Sequence, residues 1–150
     1  MSIDIERILL EIEQLPEFED QIMLQTVEEN TDLDPFYGTG FSFNTDHPEV
    51  SFNVPLFNLR YTNSIIEKLG MCRTRVMRMP PKYCYSYHWD QTQRMHIPLI
   101  TNENCFFVIE DEVVRLPADG NHYLIDTRKK HTFVNASFEE RVHIVGVIPN

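Results

Sequence analysis

The sequence predicts a mainly β fold, a double-stranded β-helix or jelly roll with short N-terminal helices packed on the sheet. Two observations carry that expectation. Residues 71–150 divide into about eight short runs rich in β-branched and aromatic residues, each bounded by turn formers. Helical periodicity is confined to two stretches before Gly70, and evenly spaced strands without intervening helices suggest a barrel or sandwich.

In chain order, Ile5, Ile8, Leu9 and Ile12 recur at spacings of three and four among glutamates, and Pro16 follows, so residues 3–15 read as an amphipathic helix. DQIMLQTV fits strand or helix, FYGTGF reads as a turn, and VSFNVPL alternates like a strand until Pro55 interrupts it. The GTG lacks the further glycines and the lysine of a phosphate loop. Ser64-x-x-Glu67 has the form of a capping box, and Gly70 of a stop, for a second helix carrying YTNSIIEKL. The strand candidates are then CRTRVMRM, YCYSYHW, RMHIPLIT, CFFVIED, EVVRLPA, NHYLIDT, HTFVNAS and ERVHIVGVI, and eight strands fit a cupin-like jelly roll. Residues 1–150 are expected to form one domain, with 1–70 a helical and irregular cap and 71–150 the jelly-roll core.

Charge narrows the partners. The chain has 23 acidic and 13 basic residues, a net −10, with acids crowded into its first third. Nucleic acid and anionic membrane would be repelled there, so neither is expected as a partner. Cys72, Cys84 and Cys105 are an odd number without framework spacing and without CxxC, which suits reduced thiols in a cytoplasmic protein. MSIDIERILL has no basic n-region, and no long apolar run occurs.

The chemistry starts at YSYHWDQTQRMHIPLIT, residues 85–101. Side chains at i and i+2 on a strand share a face, so His88 and Asp90 could point at one ion. Such a pair is common in an acidic chain, and His47-Pro-Glu49 is a second instance, discounted because its proline sits in a loop. What adds weight is His131, 41 residues after Asp90, at the opening of the penultimate strand candidate. Two histidines and a carboxylate on one face of an octahedron leave three positions open, the arrangement of non-haem Fe(II) oxygenases. Those positions accommodate a bidentate oxo-acid and dioxygen. Arg141 begins the last strand candidate, where it shares a face with His143 and Val145. An inward guanidinium is costly unless it meets a carboxylate, so an inward Arg141 implies a dicarboxylate ligand. The competing reading of Arg141 is a surface salt bridge to Glu139 or Glu140.

Three blocks between residues 75 and 147 resemble the aspartyl/asparaginyl β-hydroxylase branch of the Fe(II)- and 2-oxoglutarate-dependent dioxygenases. They are MPPKYCYSYHWD, RMHIPL and the pattern DG-x4-ID-x4-HTFVNAS-x3-R. The resemblance implies that His88 and His131 ligate iron, that Arg141 clamps the distal carboxylate of 2-oxoglutarate, and that Arg94 and His96 lie beside this cosubstrate. For His96 a core role competes. Asp90 departs from the animal peptidyl hydroxylases of the branch, which carry glycine there; His88-x-Asp90 with His131 is similar to the microbial hydroxylases of free amino acids. The serine that assists the arginine in some relatives has no counterpart, since Val76 falls near its position; Arg75 or Arg78 either does related work or faces solvent. Tyr83, Tyr85 and Tyr87 alternate out of phase with His88 and are expected to cover the other face of the sheet against the N-terminal helices. Cys84 and Ser86 share the parity of His88, and His122 and His143 read as structural.

The resulting expectation is an Fe(II)/2-oxoglutarate dioxygenase with metal ligands His88, Asp90 and His131, consuming dioxygen and hydroxylating an aspartyl, asparaginyl or other amino-acid side chain, in a peptide or as a free amino acid. Two alternatives stand beside it. One is a cupin-like metal enzyme or sugar-binding module that does not use 2-oxoglutarate, and the other a non-catalytic jelly-roll interaction protein.

Overall fold

A computed structural model describes residues 1–40 and 45–149. Helix α1, Ile5–Ile12, begins where Asp4 accepts the Arg7 amide hydrogen at 3.1 Å, as an N-cap should. Helix α2, Arg60–Lys68, is capped differently from the expectation. Ser64 lies inside the helix and donates to the Tyr61 carbonyl, while the capping acceptor comes from α1: the Glu11 carboxylate takes the amides of Tyr61 at 2.9 Å and Thr62 at 2.7 Å, and the Thr62 hydroxyl. A capping box needs its serine at the N-cap, and here Leu59 holds that position, five residues before Ser64. Gly70 does end the helix, with φ +66°.

Eleven strands form among the described residues, and the eight from residue 72 onward follow the sequence expectation: β1 Gln21–Met23, β2 Gln25–Thr26, β3 Val54–Pro55, β4 Cys72–Met79, β5 Tyr83–Cys84, β6 Gln93–Ile100, β7 Cys105–Ile109, β8 Glu112–Val114, β9 Tyr123–Ile125, β10 His131–Asn135 and β11 Arg141–Ile148. DQIMLQTV resolves as β1 and β2, and VSFNVPL as the end of a single 3-10 turn, Glu49–Ser51, followed by β3. The first five residues of FYGTGF form turn structure, and Phe41 lies outside the described residues.

Pairing is antiparallel throughout the described strands. One sheet has the order β1-β4-β11-β6-β9, the second β5-β10-β7-β8, and β2-β3 form a separate ribbon. From β4 onward the chain passes back and forth between the two sheets, apart from the β7-β8 hairpin within the second, with β10 crossing to the second and β11 returning to the centre of the first, in the manner of a jelly roll. Period-two alternation then sorts the side chains of the larger sheet. Val76, Met95, Ile97, Leu99, Val142 and Ile144 join Ile8, Ile65 and Ile66 of the helices in one apolar core. Arg75, Arg94, His96, Arg141 and His143 have the opposite parity and face the second sheet, whose Phe107 and Phe133 pack with Met79, Cys105 and Ile125.

The tyrosine expectation fails here. Tyr83 and Tyr87 are about half exposed, and Tyr85 packs into the inter-sheet cluster beside Phe107 and Phe133, not against the helices. Regular pairing stops at Cys84, so the parity count from His88 does not extend across residues 85–87. Cys84 and Ser86 are exposed despite sharing that parity.

Because Glu11 supplies the cap of α2 across a helix–helix contact, Glu11→Ala should cost about 1 kcal/mol, within the range for lost caps. Urea denaturation checks this, and Ser64→Ala should change the midpoint less.

Candidate metal centre

His88 follows a segment with no regular strand pairing, yet its backbone is fixed by a two-way bridge to His131. The His88 amide donates to the His131 carbonyl at 2.9 Å, and the His131 amide returns a bond of 2.7 Å. Two residues on, the Asp90 amide donates to the Thr127 carbonyl at 2.8 Å. Side chains of His88, Asp90 and His131 consequently converge, with one candidate ligand atom of each lying within 4.8 Å of the others. Asp90 Oδ2 is 3.5 Å from His131 Nε2, and Oδ1 is 3.9 Å from His88 Nε2.

The outer ring nitrogens decide whether these imidazoles fit a metal. His88 Nδ1 lies 2.6 Å from the Ser86 carbonyl and His131 Nδ1 2.8 Å from that of Lys129. A carbonyl only accepts, so each Nδ1 carries the proton and each Nε2 keeps its lone pair facing Asp90. Burial pushes His131 below the usual imidazole range, against the pull of its Lys129 contact and of Asp90, which favours this neutral, ligating form. Two imidazole nitrogens and one carboxylate form a donor set that suits Fe(II).

Arg141 lies deeper between the sheets. Asn135 sets its position: its side-chain amide donates to the carbonyls of Met79 at 3.1 Å and Glu139 at 2.9 Å, and Oδ1 takes the Ser137 amide at 3.0 Å. That turn delivers Arg141 opposite Met79 at the start of β11. The guanidinium is 1% exposed and sits 4.0 Å above the Phe133 ring, and Nε has no hydrogen-bond partner among the described residues. No salt bridge to Glu139 or Glu140 forms among the described residues; Glu140 instead approaches Arg78 at 4.0 Å. Burial lowers the Arg141 pKa to about 10, while Tyr85 and Cys105 pull the other way, so it stays a cation at neutral pH.

Between Arg141 and the triad the walls are rings. Phe133 is 5.4 Å from His143, Phe107 is 5.1 Å from His96, and Phe107 is 6.4 Å from His131, measured between centroids. His96 and His143 meet through Nδ1 atoms 3.1 Å apart, so one donates and the other accepts. Burial, reinforced by Arg141, holds both well below the usual imidazole range and therefore neutral.

Arg94 is placed differently from His96. Its Nη1 donates to Glu49 Oε2 at 2.8 Å and to the Thr92 hydroxyl at 2.7 Å, while Nη2 reaches to 3.7 Å from Asp90 Oδ1. Glu49 also receives Arg73 Nη1 at 2.8 Å. The discounted pair is thus split: His47 turns to Tyr37 and Glu29, whereas Glu49 is a largely buried carboxylate joined to Asp90 of the triad through Arg94. Nothing in local spacing signals this, because both arginines are distant in sequence. Arg73, in the left-handed region at φ +47°, also donates to the carbonyls of Gly38 and Gly40. Arg75 is buried on the inward face, and Arg78 lies outside, over the Phe18 ring.

Two imidazoles and a carboxylate converging in a jelly roll, with an unanswered guanidinium further inside, make a candidate metal centre. The family model for aspartyl/asparaginyl beta-hydroxylase matches residues 5–148, and the chain belongs to that family. Similar solved structures include a cupin domain from Bordetella pertussis Tohama I, with 19% identity over 52% of this chain and 81% of that one, TM-score 0.45. Others are a predicted oxalate decarboxylase from Thermotoga maritima (16%, 57% and 74%, 0.44) and a salicylate 1,2-dioxygenase from Pseudaminobacter salicylatoxidans (17%, 51% and 21%, 0.44). These likenesses concern part of the chain path and say nothing of chemistry. No curated protein matches the sequence. No helix among the described residues is long and apolar enough to cross a membrane.

Removing Glu49 would strand Arg73 and Arg94 without their shared carboxylate, so Glu49→Ala should cost about 3 kcal/mol or more in denaturant unfolding. Burial resists ionisation of Glu49, but Arg94, Thr92 and Arg73 together lower its pKa below the ordinary 4.5. A carboxylate with a depressed folded pKa stabilises above its unfolded pKa and loses that contribution as pH falls through the folded one. The acid limb of the stability profile should therefore flatten in Glu49→Gln.

Proposed function

We propose that the protein is an Fe(II)- and 2-oxoglutarate-dependent dioxygenase that hydroxylates an amino-acid side chain. The observation that carries this reading is Arg141, a buried cation with no carboxylate partner among the described residues, on the inward face of a sheet whose mouth holds the triad. A fully desolvated guanidinium costs several kcal/mol unless an anion meets it, and a planar fork suits a carboxylate. One dicarboxylate can satisfy Arg141 with one end and reach the metal with the other.

His88 and His131 would hold the iron through Nε2 atoms freed by the carbonyls of Ser86 and Lys129, and Asp90 through a carboxylate oxygen. When bound, iron supplies the redox chemistry by which dioxygen and the oxo-acid are consumed and a substrate C–H bond becomes C–OH. The chain's own tasks are binding and exclusion. Arg141 holds the distal carboxylate, Phe133 and Phe107 dry its surroundings, and the neutral His96 and His143 offer hydrogen bonds without adding charge. Arg94, fixed by Glu49, steadies Asp90 from behind. A peptidyl residue and a free amino acid are the two substrate forms compatible with this arrangement.

Adding Fe(II) and 2-oxoglutarate without oxygen should give a visible metal-to-ligand charge-transfer band. Metal binding without the band would favour a cupin-type enzyme that uses no 2-oxoglutarate, and absence of metal binding a non-catalytic module. His131→Ala should lose iron binding and cosubstrate decarboxylation, and decarboxylation at the wild-type rate would sink the assignment. Arg141→Ala should raise the 2-oxoglutarate concentration needed for half-maximal band intensity by at least about tenfold, the loss expected for a charge-assisted bidentate contact.

A further inference from the structure

A second guanidinium inside the sandwich has no answer in that scheme. Arg75 on β4 stands opposite Val145 of β11, which stands opposite His96 of β6, so its inward side chain belongs to the row between Arg141 and Arg94. It is 6% exposed, and neither Nε nor Nη1 has a hydrogen-bond partner among the described residues. In that register it lies across from His96 and one row from Arg94, whose Nη2 is 3.7 Å from Asp90 Oδ1 of the triad.

Among the described residues the inward arginines are Arg73, Arg75, Arg94 and Arg141, and the carboxylates near them are Glu49 and Asp90. Glu49 is shared by Arg73 and Arg94, and Asp90 belongs to the triad. Under the reading above, which this inference rests on, the distal carboxylate of 2-oxoglutarate answers Arg141. Arg75 is left over. Guanidinium groups do not shed their proton in proteins, so the burial cost must be met by another anion.

We propose that Arg75 is the binding site for a carboxylate carried by the substrate, and hence that the substrate is a small acid with a free carboxylate, not a residue in the interior of a peptide. The side chain is a binding residue reached from the same interior space as the cosubstrate. An amino acid or a simple carboxylic acid would supply the same anion, and they differ in whether an amine accompanies it.

The test uses the Fe(II)-loaded protein kept without oxygen, with 2-oxoglutarate present. Trp89, the sole tryptophan, sits between His88 and Asp90 and reports occupancy by its fluorescence. Two probe sets are titrated, the free L-amino acids and simple carboxylic acids of matching length, each against its amides. At least one acid should bind and its amide should not; Arg75→Gln should weaken that acid by about tenfold or more while the charge-transfer titration with 2-oxoglutarate shifts less than about threefold. Arg75→Lys, which keeps the charge and guards against a folding failure, should lose less. Binding of amides as tight as that of acids, no binding in either set, or an equal loss of 2-oxoglutarate affinity in Arg75→Gln would each overturn the proposal. Arg141→Ala leaving 2-oxoglutarate affinity untouched would instead remove the cosubstrate reading, and is read separately.

Discussion

Everything at this site depends on the alternation of side chains along Arg141–Val145 of the central strand β11. Arg141, His143 and Val145 go one way, and Val142 and Ile144 go the other. One face closes the apolar core against α1 and α2, and the other is free to carry charge because the core does not need it. A one-residue slip would exchange the two sets, burying arginine among isoleucines. The position of Gly146 fits the same constraint: a Cβ there would fall 2.5 Å from Met71 Cε and 2.8 Å from Thr74 Oγ1.

The interior consequently holds more positive charge than its own carboxylates neutralise. Glu49 manages two arginines, and its short helical turn is tied to β4 through Arg73, whose backbone adopts an unusual left-handed conformation to reach it. Arg141 is left over the Phe133 ring, and Arg75 stands in the row of His96 with no hydrogen-bond partner on Nε or Nη1 among the described residues. Neutral His96 and His143 are the natural lining for such a space, since charged ones would add to the repulsion. The arrangement is costly in an empty barrel and favourable in one occupied by anions, which is the behaviour expected of a site built for acids.

Much of this was legible before any coordinates. The eight strands after Gly70 stand where β-branched runs and turn residues put them, because alternation is a local property of the chain. His88, Asp90 and His131 come together as their spacing and order suggest. What could not be read was long range. The capping of α2 by Glu11, the burial of Glu49 and the inward turn of Tyr85 depend on partners about 50 residues away or on a break in strand pairing that composition does not mark. His47-Pro-Glu49 shows the difficulty: the proline marks a loop in which the two side chains take different partners, yet says nothing of where the glutamate goes.

The backbone bridge between His88 and His131 has a mechanical side. β5 is only two residues long, and after Cys84 the edge of the smaller sheet is held to β10 mainly by this pair of amide bonds and by Tyr85. An ion gripped by both imidazoles and by Asp90 would lock three strand ends with one rivet, at the edge where fraying is easiest. The hinge of the barrel mouth and its chemistry would then be one object, and loosening either would loosen both.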